Sequence, residues 1–246
     1  MPVVKSNDGN QLARHAFEML RSAILEGRLP PGTPLSRRRL AEEMGMSAVP
    51  VGDAIGRLES EGLVESKPRA GTRVRIATAE EIHGNYVLRE ALETHSARLF
   101  AQSATTAFRK RVLTAAAKLD EAYIALAGNP RHSQSRRARV EREHIAFHML
   151  IAEATAVPKL MNEIERSRVL MFNWLFTVSS QFGSFAPRWH RDLAEVLVHG
   201  SAAEAADAMR VHVTFRQPEV IVKFKEFEET HAQQPRMIRG PQRVKI

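Results

Sequence analysis

"SRRRLAEEMGMSAVPVGDAIGRLESEGLVESKPRAGTRV", residues 36–74, holds two helix signals and a hairpin signal in one short stretch. Ser36 is placed to cap a short helix, "RRRLAEEM", that stops at Gly45. Ser47 is placed to cap the next, "AVPVGDAIGRLESE", which stops at Gly62, and Pro50 is tolerated because it falls in the first turn. Gly45-Met46-Ser47 has the length and turn chemistry of the joint in a helix-turn-helix. Beyond it, "LVES" and "TRVRI" are β-prone runs around "KPRAG", a hairpin whose tip carries Lys67, Arg69 and Gly71.

Upstream, "QLARHAFEMLRSAILEG" sets Leu12, Ala16, Met19, Leu20, Ala23 and Ile24 at helical spacing before a stop at Gly27, and "RLPPGTPL" is a turn. Three helices and a basic hairpin make a winged helix-turn-helix over 11–76, preceded by a flexible 1–10. Downstream, Thr78 and Glu81 form a capping box, and helical patterns follow at 79–103, 105–127, 136–156, 158–181, 187–199 and 202–228. No period-2 pattern interrupts them, so 77–229 is expected as an all-α antiparallel helical bundle, with Phe172, Trp174 and Phe176 in its core. His199 is expected to serve a helix C-terminus beside Gly200. Residues 230–246, basic and broken by Pro and Gly, are expected as a disordered tail. The fold class is mainly α.

The chain of 246 residues is 43% hydrophobic with a mean hydropathy of −0.29, the balance of a soluble globular protein. No run reaches the ~18 apolar residues of a membrane span, and "MPVVKSNDGN" is unlike a signal peptide. Zero cysteines exclude disulfides and thiolate metal sites and fit a cytoplasmic location. A net charge of +8 and a pI near 10.3 favour a polyanionic partner.

"REHIAFHMLIAEA", residues 142–154, sets His144 and His148 four positions apart in an otherwise apolar run. That spacing stacks both imidazoles on one helix face, within reach of one metal ion at about 2.0–2.1 Å. Among ten histidines a chance pair at this spacing is expected roughly 0.4 times, so the pair alone decides nothing.

The stretch from "AILEGRLPPG" through "PRAGTRV", residues 23–74, resembles the DNA-binding domain of the GntR superfamily of bacterial transcription regulators. The all-helical second half, with H-x3-H and two later histidines, resembles the effector domain of the FCD branch. The resemblance implies a ligand-responsive regulator: a homodimer that binds a palindromic operator in double-stranded DNA and answers a small carboxylate effector, often through a divalent metal. It implies a recognition helix opening at Ser47, with Ala48, Val49 and Gly52 at its DNA-facing start. Family members usually carry arginines at the positions of Ala48 and Gly52; the small apolar surface here suits thymine methyls and predicts an operator less dependent on guanine. Arg38 matches a position that contacts DNA. Arg37 beside it, Arg57 on the recognition helix, and Lys67, Arg69, Arg73 and Gly71 on the wing are candidates for phosphate or minor-groove contact.

In the FCD pattern an Asp, a His four residues later and two further histidines bind the metal. Here His148, His190 and His212 match the histidines, and His144 stands at the Asp position. Four imidazoles point to Zn²⁺ or Ni²⁺ rather than a hard cation. The alternative is four unrelated histidines. Arg89 matches an arginine that often holds an effector carboxylate; the competing reading is an exposed i,i+4 ion pair with Glu93. The Asn that members often carry past H-x3-H is Val157 here. The chain is not expected to be an enzyme: it lacks H-E-x-x-H, G-x-S-x-G and P-loop patterns. Besides a metalloenzyme, the remaining alternative is a metal- or metabolite-sensing dimer with weak or lost specific DNA binding.

Overall fold

The computed structural model describes residues 6–69, 71–127, 134–178 and 186–232. It divides into two compact units, the first comprising, among the described residues, 6–77 and 230–232 and the second Thr78–Glu229.

The first unit runs α1 (Ser6–Leu25), β1 (Pro34–Leu35), α2 (Arg37–Met44), α3 (Ala48–Ser60), β2 (Val64–Lys67) and β3 (Gly71–Val74). Phe17, Leu20 and Ile24 of α1 pack over Val51, Ile55 and Leu58 of α3, and Leu40 of α2 adds to the same core. Gly45 ends α2 in the left-handed region at φ 65°, which a side chain would disfavour. Ser36 accepts from Arg39 N at 3.4 Å. Ser47 stands at the N-cap of α3, but its side chain makes no capping bond, a correction to its expected role.

Two further corrections concern this unit. α1 begins at Ser6, so the expected flexible lead over 1–10 is helical from there; Ser, Asn and Asp at 6–8 suit a first turn. "RLPPGTPL" is not only a turn: Pro34 and Leu35 form β1, antiparallel to β3 in a sheet of order β1-β3-β2. Two residues are too few to leave an alternation in the sequence.

Among its described residues the second unit forms helices and no strand: α4 (Ala79–Ser103), α5 (Thr106–Ala127), α6 (Gln134–Glu153), α7 (Pro158–Val178), α8 (Trp189–His199), α9 (Ala202–Thr214) and α10 (Gln217–Ala232). The capping boxes Thr78/Glu81 and Ser201/Glu204 open α4 and α9. α4 packs along α9 and also meets α6, α7 and α8, while α5 packs on α6 and α8. Phe100, Leu119, Phe147, Ile151, Leu197 and Met209 form the centre of the core. His199 ends α8, 3.4 Å from Glu195.

The single helix expected over 202–228 is two. Pro218 has no N–H to give Thr214 and its ring crowds that carbonyl, so α9 ends at Thr214 and α10 starts at Gln217, running on to Ala232. The side chains of Phe172, Trp174 and Phe176, and all of 233–246, lie outside the described residues. Among the described residues no helix is long and apolar enough to cross a membrane.

Candidate functional site

Two groups of residues carry chemistry. The first is the exposed start of α2 and α3. Arg37 and Arg38 are exposed on α2, and Ser47, Ala48 and Val49 are exposed where α3 begins, Val49 at 72%. Val51 and Ile55 turn inward to the core, as their apolar character requires. Arg38 is 3.8 Å from Glu42 and almost fully solvated, where an ion pair is worth little. Arg57 is exposed, yet its guanidinium carbon stands 3.9 Å over the ring of Phe17. On the wing, Lys67 lies 3.6 Å from Glu65, which also holds Arg73. Arg69 and Gly71, both exposed, turn the hairpin at φ 63° and 79°. The space over Gly52 is filled from α2: a Cβ placed there would stand 3.1 Å from Nε and 3.2 Å from Cζ of Arg37.

The second group is the histidines. α6 supplies His144 and His148, α8 supplies His190 from its second position, and α9 supplies His212. All four come together. Nε2 of His148 lies 3.1 Å from Nε2 of His144 and 3.2 Å from Nε2 of His212. Ligand atoms of His144, His190 and His212 all fall within 4.8 Å of one another.

Each ring but one is backed on its other nitrogen. Nδ1 of His190 is 2.7 Å from Oδ1 of Asp120, whose two oxygens also accept the backbone N–H of His190 and of Arg191. Nδ1 of His148 is 2.7 Å from Oε2 of Glu93, a charge contact without hydrogen-bond alignment. Nδ1 of His144 meets the hydroxyl of Tyr123 at 3.0 Å, and that hydroxyl donates to Oε1 of Glu141 at 2.9 Å. Among the described residues, Nδ1 of His212 has no hydrogen-bond partner.

Burial dominates the electrostatics. It pushes His144, His148 and His212 well below the usual imidazole range, helped by the neighbouring rings and by Arg168. These three are therefore neutral, the form that binds metals. Burial opposes the charge of Glu93 too, but Arg168 and Arg89 outweigh it and hold that carboxyl below its ordinary value. Arg89 Nε donates to Oε1 at 2.9 Å; Arg168 grips Oε2 with Nε at 2.9 Å and with Nη2. Burial brings Arg168 itself down to about 10. Asp120 resists burial through the side-chain and backbone bonds of His190 and stays below its usual value. Burial raises Glu141, with Tyr123 partly offsetting it.

The i,i+4 pair of Arg89 and Glu93 is present but buried, correcting the expectation of an exposed one. Asp120, Tyr123, Glu141 and Arg168 went unread in the sequence. Two of them had a signal. Asp120 follows Ala116 by one turn on the buried face of α5, and Arg168 follows Ile164 likewise on α7. A charged residue at a core position needs a partner.

Comparisons with known proteins bear on both groups. The family model described as bacterial regulatory proteins of the gntR family matches residues 12–74, and that of the FCD domain matches 85–215. A Paenarthrobacter nicotinovorans protein described as a "probable D-xylose utilization operon transcriptional repressor" is 38% identical over 80 residues, 32% of this chain and 35% of that protein. The chain thus matches only about a third of that relative's length. A solved GntR transcriptional regulator from Rhodococcus sp. RHA1 superposes with a TM-score of 0.69 at 21% identity, over 85% of this chain and 97% of that one. McbR/YncC of Escherichia coli gives 0.62 at 21% identity, over 88% and 98%. Both likenesses are of fold.

Proposed function

The chain belongs to the GntR family of bacterial regulatory proteins, in the branch that carries an FCD domain, and on that premise we propose that it is a ligand-responsive transcription regulator. It binds a palindromic operator in duplex DNA as a homodimer. Its second unit holds a divalent metal, Zn²⁺ or Ni²⁺, at His144, His148, His190 and His212, and a small carboxylate effector meets that site. Families of this kind regulate transcription and are not enzymes.

The observation that carries the reading is the convergence of four imidazoles from three helices in a buried site. Neutral rings facing one another at 3.1 and 3.2 Å set lone pairs against each other unless a proton or a cation lies between. Four nitrogens bound at 2.0–2.1 Å to one zinc would stand roughly 3.3 Å apart in a tetrahedron, close to these separations. Asp120 behind His190 is the kind of outer partner that orients a ligating imidazole and raises its basicity, and the carboxylate of Glu93 stands 2.7 Å behind His148.

A bound divalent metal supplies positive charge and a Lewis-acidic centre beside the effector. The protein adds charge of its own: Arg89 and Arg168 share one carboxylate, Glu93, so the network keeps an excess cation. That excess suits an anionic effector. Such a ligand shifts operator binding only by its difference in affinity between the competent and incompetent dimers.

A second reading rests on Ala48 and Gly52, which give α3 no long donor at its start: a sensing dimer that acts through protein partners. Selection of bound duplexes from a random library, with and without Zn²⁺, separates the two. A recovered palindrome supports the regulator. Salt-sensitive binding with no sequence preference under either condition supports the second reading. Metal analysis of the purified protein tests the histidine site directly, and absence of any bound or bindable transition metal would sink it.

A further inference from the structure

Gly52 lies inside α3 with ordinary helical backbone, where glycine is about 1 kcal/mol less favourable than alanine. Gly56, one turn on, has nothing within 4 Å of an added Cβ; at Gly52 the Cβ would stand 3.1–3.3 Å from Nε, Cζ and Cδ of Arg37. What a glycine provides at 52 is thus room for an arginine arriving from another helix.

Arg37 differs from the basic residues around it. Arg38 has Glu42, Arg39 has Glu43, Arg73 has Glu65, and Arg57 rests on Phe17. Arg37 is exposed and makes no hydrogen bond or ion pair among the described residues. All five donors of its guanidinium remain available. They lie against the first turns of α3, beside the exposed Ala48 and Val49, where a recognition helix enters the major groove.

We propose that Arg37, held across Gly52, is the base-reading arginine of this protein: it pairs with the O6 and N7 edge of a guanine at a fixed place in each operator half-site. The small residues of α3 let the helix come close, and α2 supplies the long donor that α3 lacks. This reverses the guanine-poor operator expected from Ala48 and Gly52 alone. The inference rests on the operator-binding function proposed above.

The test is duplex selection with the full-length protein, carried out in parallel on the wild type, Arg37→Ala, Arg37→Lys and Gly52→Ala, with thermal melts of each. The wild type is expected to retain a guanine opposite the start of α3. Arg37→Ala should lose that preference by roughly 5- to 150-fold while keeping the other positions. Arg37→Lys keeps the charge but not the bidentate fork, and should lose most of it. Gly52→Ala keeps Arg37 itself, pushes its guanidinium aside and favours the helix, so it should melt no lower than wild type yet blur the same base pair. Two results overturn the inference alone: an operator with no guanine there, or Arg37→Ala weakening all sequences equally, as a phosphate contact would. A wild type that selects no sequence overturns operator binding itself, and the inference with it.

Discussion

Glu93 sits on α4 in the series Ile82, Tyr86, Arg89, Glu93, Ala97 and Phe100, all of them buried. Its charge is tolerated because two guanidiniums and one imidazole surround it. Glu93→Gln would leave Arg89 and Arg168 buried without a counter-ion, and loss of one partner from such a network costs about 3–5 kcal/mol. Urea unfolding of the metal-free protein measures this; a loss under about 1 kcal/mol would mean that water reaches the network. At His144, substitution by Asp exchanges an imidazole for a hard oxygen donor. The ratio of Zn²⁺ to Mn²⁺ affinity should fall in direct competition, and an unchanged ratio would mean that residue 144 is no ligand. The four histidines were legible in the sequence because spacing and family resemblance converged on them. Asp120, Tyr123 and Arg168 were not, since they reach the cluster from other helices, Arg168 by way of Glu93; Glu141 stands one turn before His144 on α6, and its bond to Tyr123 of α5 is what the local sequence does not show. The polar pair in "REALE" shows only its i,i+4 spacing locally, and the apolar stripe on which it lies settles its burial.

Between α6 and α7 the chain turns through Ala156, a non-glycine residue at φ 54°. Its N–H reaches Glu153 O at 3.1 Å, so the left-handed residue closes the end of α6. Alanine in that region is strained by roughly 1–2 kcal/mol. Ala156→Gly should recover about 1 kcal/mol and raise Tm by roughly 2–4 °C; a melt no higher than wild type would show the strain relaxed elsewhere. Thr78→Ala makes the opposite case, since Thr78 and Glu81 satisfy each other's backbone N–H at the start of α4. Its loss should cost about 1 kcal/mol in the same assay. Elements with such chemical stops were readable from sequence: Gly45, the Thr78/Glu81 capping box and the hairpin around Arg69. Those without were not. β1 is two residues that pair only because β3 lies beside them. The gap between α9 and α10 turns on Pro218, whose missing N–H ended a helix that the apolar periodicity alone carried through.

For the whole molecule, the buried histidines link stability to both acid and metal. Burial holds His144, His148 and His212 neutral, well below the imidazole range, whereas in the unfolded chain they take up protons near pH 6.5. The unfolded state therefore binds more protons as pH falls, and each ring destabilises the metal-free fold by about 1.4 kcal/mol per pH unit below that value. Glu93 and Asp120, with lowered folded values, act in the same direction, but only at the lower pH where carboxylates titrate. Glu141 acts oppositely: its raised value means that the folded state takes its proton first, one group against three rings. The metal-free protein should thus be stable at pH 7.5 and lose stability steeply between pH 6.5 and 5, on a scale of several kcal/mol. Zn²⁺ needs the same neutral rings, which the folded state already keeps free of protons. At pH 7.5 and a hundredfold excess over Kd it should add about 2.7 kcal/mol, an increment lost on chelation and kept at lower pH for as long as the folded rings stay neutral. Melts across pH, with and without Zn²⁺, check both halves. Acid sensitivity without a zinc increment would leave a buried histidine core and no metal site; a zinc increment lost between pH 6.5 and 5 would mean that the folded rings take up protons and that the acid sensitivity has another source.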